Sequence, residues 1–167
     1  MRLSTYALVL VSLLAIAAPA SAAVDVFLKI PGVPGHSFDV RHRDWIDVVS
    51  QSLVVAQPIA EKQNAIQKQC SASFATNLGA GIAAAVQLVG VPLAGEVLVE
   101  HVNAGTNQVI AEIKLQGGVI VSMASSQPNA TESLAIDFTR IEYKTYVQKA
   151  DGTMGDPSTG AYDCKSK

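Results

Sequence analysis

Histidine supplies the side chains of this sequence best suited to binding a metal or exchanging a proton at neutral pH. His36 and His42 lie six residues apart in one turn-rich stretch, where Asp39 or Asp44 could complete a three-ligand metal site. The third histidine, His101, lies far along the chain, and no second dense cluster of ligands accompanies the pair. We therefore predict no physiological metal site.

Other residue patterns fall short of a cofactor site or a catalytic site. Gly79, Gly81 and Ala84 have the spacing of a dinucleotide-binding fingerprint, but that motif needs a strand running directly into the glycines within a βαβ unit. A polar run precedes them here, so close helix packing explains the small residues better. No G-x-S-x-G motif is present, and the paired acids Asp44 and Asp47 are typical of solvated turn and strand-edge charge. The sequence predicts neither an enzyme nor a bound cofactor.

The N-terminal residues have the features of a secretory signal peptide. Residues 6–18 form a nearly unbroken apolar run, Pro19 interrupts it, and Ala20-Ser21-Ala22 supplies the small residues that signal peptidase accepts. The run is shorter than the roughly 20 residues of a membrane-spanning helix. We predict a signal peptide over residues 1–22, cleavage after Ala22, and a soluble secreted or periplasmic domain over 23–167. A retained N-terminal anchor is the alternative.

Charge argues against nucleic acid as a partner. The formal net charge is −2 at pH 7, and the Lys and Arg residues are scattered singly. Loss of Arg2 with the signal peptide makes the mature chain one unit more negative. Nucleic-acid-binding domains instead concentrate basic residues on one face.

Two cysteines remain in the mature chain. In an oxidising compartment Cys70 and Cys164 could form a disulfide that closes a long loop and stabilises the fold. A bond between subunits and a pair of free thiols are the alternatives.

Most of the mature chain alternates apolar and polar residues with a period of two, which predicts β-strands. The predicted strands cover 24–30, 45–57, 94–103, 108–116, 119–125, 132–149 and 158–164. In 132–149 the alternation changes phase near Thr139-Arg140, as a β-bulge would make it do. Residues 58–73 have no clear strand period, and we predict an extended loop with some helical character.

One segment breaks the β pattern and predicts a helix. Asn77 can cap a helix over residues 78–89, and Gly90 followed by Pro92 ends it. Its apolar stripe is backed by Gly and Ala, and a helix this apolar is rarely left bare in water. We expect a neighbouring subunit to cover part of it. The candidate interface residues are Leu78, Ile82, Ala84 and Ala85.

Two stretches resemble the haemolysin-coregulated proteins (Hcp), the tube subunits of bacterial type VI secretion. VDVFLKIPGVPGHSFDVRHRDWIDVVSQS, residues 24–52, is similar to the family's opening strand, its Gly-containing turn and its G-x-S-x-D-x-x-H and I-x-V motifs. IDFTRIEYKTYVQKADGTMGDPSTGAYD, residues 136–163, is similar to the closing strand, the Q-K-A-D-G turn and the final aromatic-Asp strand. The first set of motif positions is occupied by Gly35, Ser37, Asp39, His42, Ile46 and Val48.

The resemblance implies a mainly β fold, an antiparallel β-barrel of two sheets with one α-helix packed at its side. It also implies subunits that assemble into six-membered rings, which stack into a hollow tube expelled with a spike at its tip. The implied partners are other copies of the chain and the spike or effector proteins of a secretion system.

A signal peptide is unusual in this family, whose tubes assemble in the cytoplasm. We therefore interpret the chain as an exported Hcp-like structural protein that forms rings or tubes. The alternative is a monomeric exported binding module that uses the same barrel and is stabilised by a Cys70–Cys164 disulfide.

The predicted export signal is tested by the N-terminus of the mature protein. Because Ala20-Ser21-Ala22 fits the cleavage site, we expect protein from the cell envelope to begin at Ala23. N-terminal sequencing and intact mass measure this. An intact Met1 on cytosolic protein would contradict the prediction.

Overall fold

The computed structural model describes residues 23–56, 69–77, 79, 81–126, 130–149 and 151–164. The predicted signal peptide and most of the predicted loop over 58–73 lie outside these residues. The described elements are β1 (Val24–Lys29), β2 (Ile46–Ala56), β3 (Gln69–Asn77), α1 (Ile82–Val86), β4 (Val97–Asn103), β5 (Gln108–Gln116), β6 (Val119–Ser126), β7 (Thr131–Asp137), β8 (Arg140–Thr145) and β9 (Ser158–Asp163).

The strands form one antiparallel sheet in the order β6-β7-β3-β2-β1-β4-β5-β8-β9. Only Phe138 and Thr139 connect β7 to β8, although five strands lie between those two in the sheet. At a strand spacing of about 4.8 Å a flat sheet would separate them by about 29 Å, whereas the connection reaches at most about 11 Å. The sheet must therefore curl until β7 and β8 approach each other.

Hydrogen bonds and a disulfide hold the two sides of the curled sheet together. The backbone N–H of Phe138 donates to the Cys70 carbonyl at 3.1 Å, and that of Thr139 donates to the Gln116 carbonyl at 2.9 Å. The Cys164 N–H then donates to the Thr139 carbonyl at 2.8 Å. Cys70 and Cys164 are joined by a disulfide with an S–S distance of 2.02 Å. Among the described strands, pairing itself does not close the barrel.

The curled sheet encloses the main hydrophobic core. Its inward side chains come from β1 to β8, and the largest of those that are fully buried are Leu28, Ile30, Ile46, Leu115, Ile120, Leu134 and Ile136. A second, smaller cluster of Phe27, Trp45 and Val102 lies on the opposite face of β1 and β4. Phe27 and Leu28 are adjacent in a strand, so their side chains point to these two different clusters.

The prediction of a mainly antiparallel β fold is confirmed, and the described residues contain a single helix. Strand pairing makes one continuous sheet where we predicted two. Residues 69–73, predicted as loop, belong to β3. The prediction of one continuous strand over 132–149 is wrong. The segment forms two strands, β7 and β8, and Phe138 and Thr139 carry the chain across the barrel between them. A bulge would have kept both halves in one strand.

The helix is shorter than predicted. α1 spans Ile82–Val86, and Asn77, the predicted cap, is the last residue of β3. Gly81 precedes the helix with a positive φ of 93° and lies against the Pro34 carbonyl, where any Cβ would overlap it. In the part of the chain that the structure describes, no helix has the length and hydrophobicity that crossing a membrane requires.

The disulfide predicts a measurable share of the stability. It links positions 94 residues apart, so its loss frees a long loop in the unfolded chain. We expect Cys70→Ser with Cys164→Ser to lower the free energy of unfolding by about 2–4 kcal/mol, measured by urea denaturation. Wild-type protein unfolded in reductant is the matched control and should show the same loss. Equal stability of the oxidised wild type and the double variant would contradict this prediction.

Candidate functional site: an assembly surface

The connection between β1 and β2 carries a folded-back loop, residues 36–44, which we call the arm. Its two ends are held together because the Gly35 N–H donates to the Asp44 carbonyl at 2.9 Å and the Ser37 N–H donates to the Trp45 carbonyl at 3.0 Å. Gly35 passes so close to Trp45 that any Cβ would overlap the Trp45 carbonyl. This close approach explains why glycine stands there.

Asp39 organises the inside of the arm. Its Oδ1 accepts the backbone N–H of Arg41 at 2.9 Å and that of His42 at 3.0 Å, and its own N–H donates to the Ser37 hydroxyl at 3.2 Å. An aspartate that accepts N–H groups two and three residues ahead stabilises a tight turn. The arm therefore has a defined shape of its own.

His42 fastens the arm to the sheet. Its Nδ1 lies 2.6 Å from Asp39 Oδ1 and its Nε2 lies 2.9 Å from Glu100 Oε2 on β4. The side chain is buried, with its ring stacked on Phe27 at 3.9 Å and edge-on to Trp45 at 5.0 Å. Both ring nitrogens of His42 therefore contact carboxylate oxygens. We call His42, Asp39 and Glu100 the His42 clamp.

The clamp has electrostatic consequences. The hydrogen bond from His42 lowers the pKa of Asp39, and the backbone N–H groups of Arg41 and His42 lower it further against the opposing effect of burial. Glu100 pairs in register with Glu112 on β5, and the Tyr146 hydroxyl donates to Glu112 at 2.6 Å. That bond to Glu112 raises the pKa of Tyr146. Both strand carboxylates thus have hydrogen-bonding partners.

His36 and His42, which the sequence analysis considered as a pair of metal ligands, have different surroundings in the structure. His42 meets Asp39 but also Glu100, while His36 lines a groove beside α1. His101 contacts the Gln51 amide from β4, and burial lowers its pKa. Within the described ranges, no group of three or more His, Cys, Asp and Glu side chains could hold a metal ion.

The arm exposes two apolar side chains. Phe38 is 98% exposed and Val40 is 76% exposed, and the two flank Asp39 in the sequence. Exposed apolar side chains that lie together, rather than singly, mark a candidate interaction surface. The arm therefore offers an apolar contact to another surface.

A groove runs between α1 and the edge strand β6. Its volume is about 410 Å³, and its walls are mainly apolar. The helix contributes Ala83 and Val86, β6 contributes Met123 and Ala124, and the polar positions include His36 and Glu132. We refer to these six residues as the groove.

The outer half of β2 is a third uncovered apolar surface. Leu53, Val54 and Val55 are each 37–40% exposed, and Val49 is 59% exposed. Consecutive residues of a strand point to opposite faces, so both faces of β2 are open along this stretch. β2 lies between β3 and β1 in the sheet, but β1 pairs only with Ile46–Val48, so the outer half of β2 has β3 on one side and an edge that the described strands leave unpaired on the other.

The predicted interface residues have different positions. Leu78 lies outside the described residues, and the side chain of Ile82 is not among those described. Ala84 is half-buried, but Ala85 is fully buried in the subunit's own core. Ala85 is therefore corrected from the interface to the core, because a helix that packs on a barrel must turn one face inward. Among the described side chains of α1, those of Ala83 and Val86 are exposed.

No protein-family model and no curated protein matches this chain by sequence. Solved structures do match. Hcp1 from Salmonella typhimurium has a TM-score of 0.71 at 16% identity, covering 84% of this chain and 95% of that chain. The chain has the Hcp fold. Secreted Hcp3 from Pseudomonas aeruginosa matches with a TM-score of 0.62 at 13% identity, over 86% of this chain and 100% of that chain.

The fold also matches a protein that is described as an effector. A type VI secretion system effector from Yersinia pestis has a TM-score of 0.64 at 22% identity, covering 83% of this chain and 99% of that chain. These TM-scores establish the Hcp fold. At such low sequence identity, however, the surface residues have to be interpreted from this chain itself. The resemblance found in the sequence is confirmed at the level of the fold.

Sequence reasoning missed several residues of this surface. Glu100 occupies a polar position in an alternating strand, and only the register of β1 and β4 sets it opposite Phe27 and beside His42. Phe38 and Val40 carried a usable signal, being two large apolar residues inside the polar run HSFDVRHRD. A loop that keeps such residues needs something for them to contact.

The His42 clamp predicts how stability depends on pH. Because folding lowers the pKa of Asp39 below its ordinary value of 3.8, ionised Asp39 stabilises the protein above that value, and the contribution is lost as the pH falls through the lowered pKa. Asp39→Asn lacks this contribution at every pH. We expect the wild type to be more stable than Asp39→Asn at neutral pH, with a difference that shrinks below about pH 4.

Urea unfolding followed by the fluorescence of Trp45, the one tryptophan, measures this difference. Asp44→Asn is the matched control, because it removes an arm carboxylate that lies outside the clamp. A difference between wild type and Asp39→Asn that is constant from pH 7 to pH 2.5 would contradict the prediction.

Proposed function

We propose that this chain is an exported Hcp-like structural protein whose copies associate into rings. The observation that carries the proposal is the pair Phe38 and Val40, held out in water by an arm that the His42 clamp fixes in place. A folded subunit gains nothing from ordering an apolar loop in solvent. The same loop lowers the free energy of an assembly when a neighbour covers it.

The Hcp fold connects this self-association to type VI secretion. We propose a ring of six subunits, able to stack into a tube, with spike or effector proteins of a secretion system as further partners. The exposed faces of β2 provide apolar area beyond the arm for such contacts. The signal-like residues 1–22 support action in the periplasm or outside the cell.

We propose a structural role and no catalytic turnover. Among the described residues, the cluster that resembles acid–base machinery is the His42 clamp, but His42 is 2% exposed and its ring contacts two carboxylates and two aromatic rings. A catalytic histidine needs a free nitrogen within reach of a substrate. Both nitrogens of His42 are engaged in holding the arm.

The second candidate is a monomeric exported binding module. Two observations favour it, the Cys70–Cys164 disulfide, which stabilises a lone subunit, and the groove of about 410 Å³. A groove of this volume is within the range of small-ligand sites.

The mass of the assembled mature protein separates the two candidates. For residues 23–167 with the disulfide oxidised, we expect six times the mass of the subunit by light scattering and native mass spectrometry, and rings by electron microscopy. Because the uncovered surfaces are apolar, association should persist at 1 M salt, where contacts between exposed charges are screened. A monomer at high concentration in both low and high salt would support the binding module instead.

A further inference from the structure

We propose that the arm of one subunit docks in the groove of the next, with Phe38 and Val40 inserted between α1 and β6. This inference rests on the ring formation proposed above and names the contact that builds the ring. The occupant of the groove is therefore a second copy of this chain.

The arm is organised for docking before any partner arrives. Asp39 closes its turn, the ends are joined through Gly35 and Ser37, and the His42 clamp ties it to β4. Little conformational entropy remains to be lost when its apolar tip is buried. Phe38, at 98% exposed, is the large aromatic anchor that interface centres favour.

The groove has the size and the lining that these side chains need. A cavity of about 150 Å³ already accommodates a benzene ring, so a groove of about 410 Å³ has room for the Phe38 ring and for Val40. Ala83 and Val86 form one wall, and Met123 forms the other. Methionine is flexible and polarisable, and it packs well against aromatic rings.

Charge complementarity favours the same pairing. Arg41 and Arg43 are exposed on the arm after the apolar pair, and Arg41 Nη2 donates to Asn107 Oδ1 at 2.6 Å. Of the two arm carboxylates, Asp39 is engaged by His42 and Asp44 is exposed at the base of the arm. The groove contributes the carboxylate of Glu132. An arm that carries arginines beside its apolar tip therefore meets an acidic position in the groove.

A subunit does not fill its own groove with its own arm. The near-complete exposure of Phe38 shows this directly, and the His42 clamp holds the arm over β1 and β4 instead. His36, at the base of the arm, also lines the groove, but the docking tip (Phe38 and Val40) and the walls that receive it are different residues. In a head-to-tail contact between copies, one tip and one groove remain free. Repetition of such a contact closes into a ring when the rotation between subunits permits it.

Two substitutions break the contact from opposite sides. Phe38→Asp places a charge at the tip of the arm, and Ala83→Arg fills the groove. Neither should unfold the subunit, because both positions are exposed and arginine is a good helix former. Val147→Asp is the matched control, since Val147 is an apolar residue, 72% exposed, outside the arm and the groove.

We expect Phe38→Asp and Ala83→Arg each to reduce the assembled fraction at least tenfold by light scattering, while Val147→Asp assembles like the wild type. Thermal unfolding and Trp45 fluorescence verify that each variant is folded. Assembly of either folded variant at the wild-type level overturns the proposed contact while leaving ring formation intact. A wild-type protein that is itself monomeric overturns ring formation, and the contact with it.

Photo-crosslinking identifies the contact directly. We expect Phe38→p-benzoylphenylalanine in the assembled protein to crosslink to peptides that contain Ala83, Val86 or Met123 of another copy. Mixing isotopically light and heavy subunits distinguishes crosslinks between copies from those within one copy. Crosslinks between copies that map only outside the groove overturn the inference.

Discussion

The crossing from β7 to β8 is the constraint on which the rest of the structure depends. Two residues, Phe138 and Thr139, connect strands near opposite sides of a nine-stranded sheet, so the sheet can exist only in a curled form. The curl encloses the core and brings Cys70 near Cys164. Since strand pairing does not close the barrel in the described residues, the crossing hydrogen bonds and the disulfide perform that task. A disulfide of this kind persists in an oxidising compartment, such as the one to which the proposed export would deliver the chain.

The curl also determines which surfaces are left open. It buries one face of the sheet and leaves the other to small local clusters such as Phe27, Trp45 and Val102. The His42 clamp lies beside this outer cluster, where the carboxylates of Asp39 and Glu100 give the buried imidazole hydrogen-bonding partners. A buried polar cluster of this kind adds little to stability compared with apolar packing, but it specifies one position for the arm. The main effect of the clamp is therefore to hold the arm in one position on the sheet.

The rigid arm with its apolar tip, the two open faces of β2 and the walls of the groove all present uncovered apolar surface. In the proposed assembly, other copies of the chain cover these surfaces. The Hcp fold is consistent with such a subunit, and its similarity to proteins at 13–22% identity shows how much of the sequence can change while the barrel persists.

The sequence by itself determined the local strands, because alternation along a pleated strand depends on neighbouring residues alone. The hairpin of β4 and β5 and the last strand β9 follow directly from their patterns. β3 escaped detection because its buried face is Cys70, Ala72, Phe74 and Thr76, mostly small residues with a weak apolar signal. Only the tertiary structure decided that 132–149 divides between two sides of the barrel, that Ala85 faces inward, and that Glu100 reaches His42. Each of these depends on contacts between residues distant in sequence, and the register and curl of the sheet create those contacts.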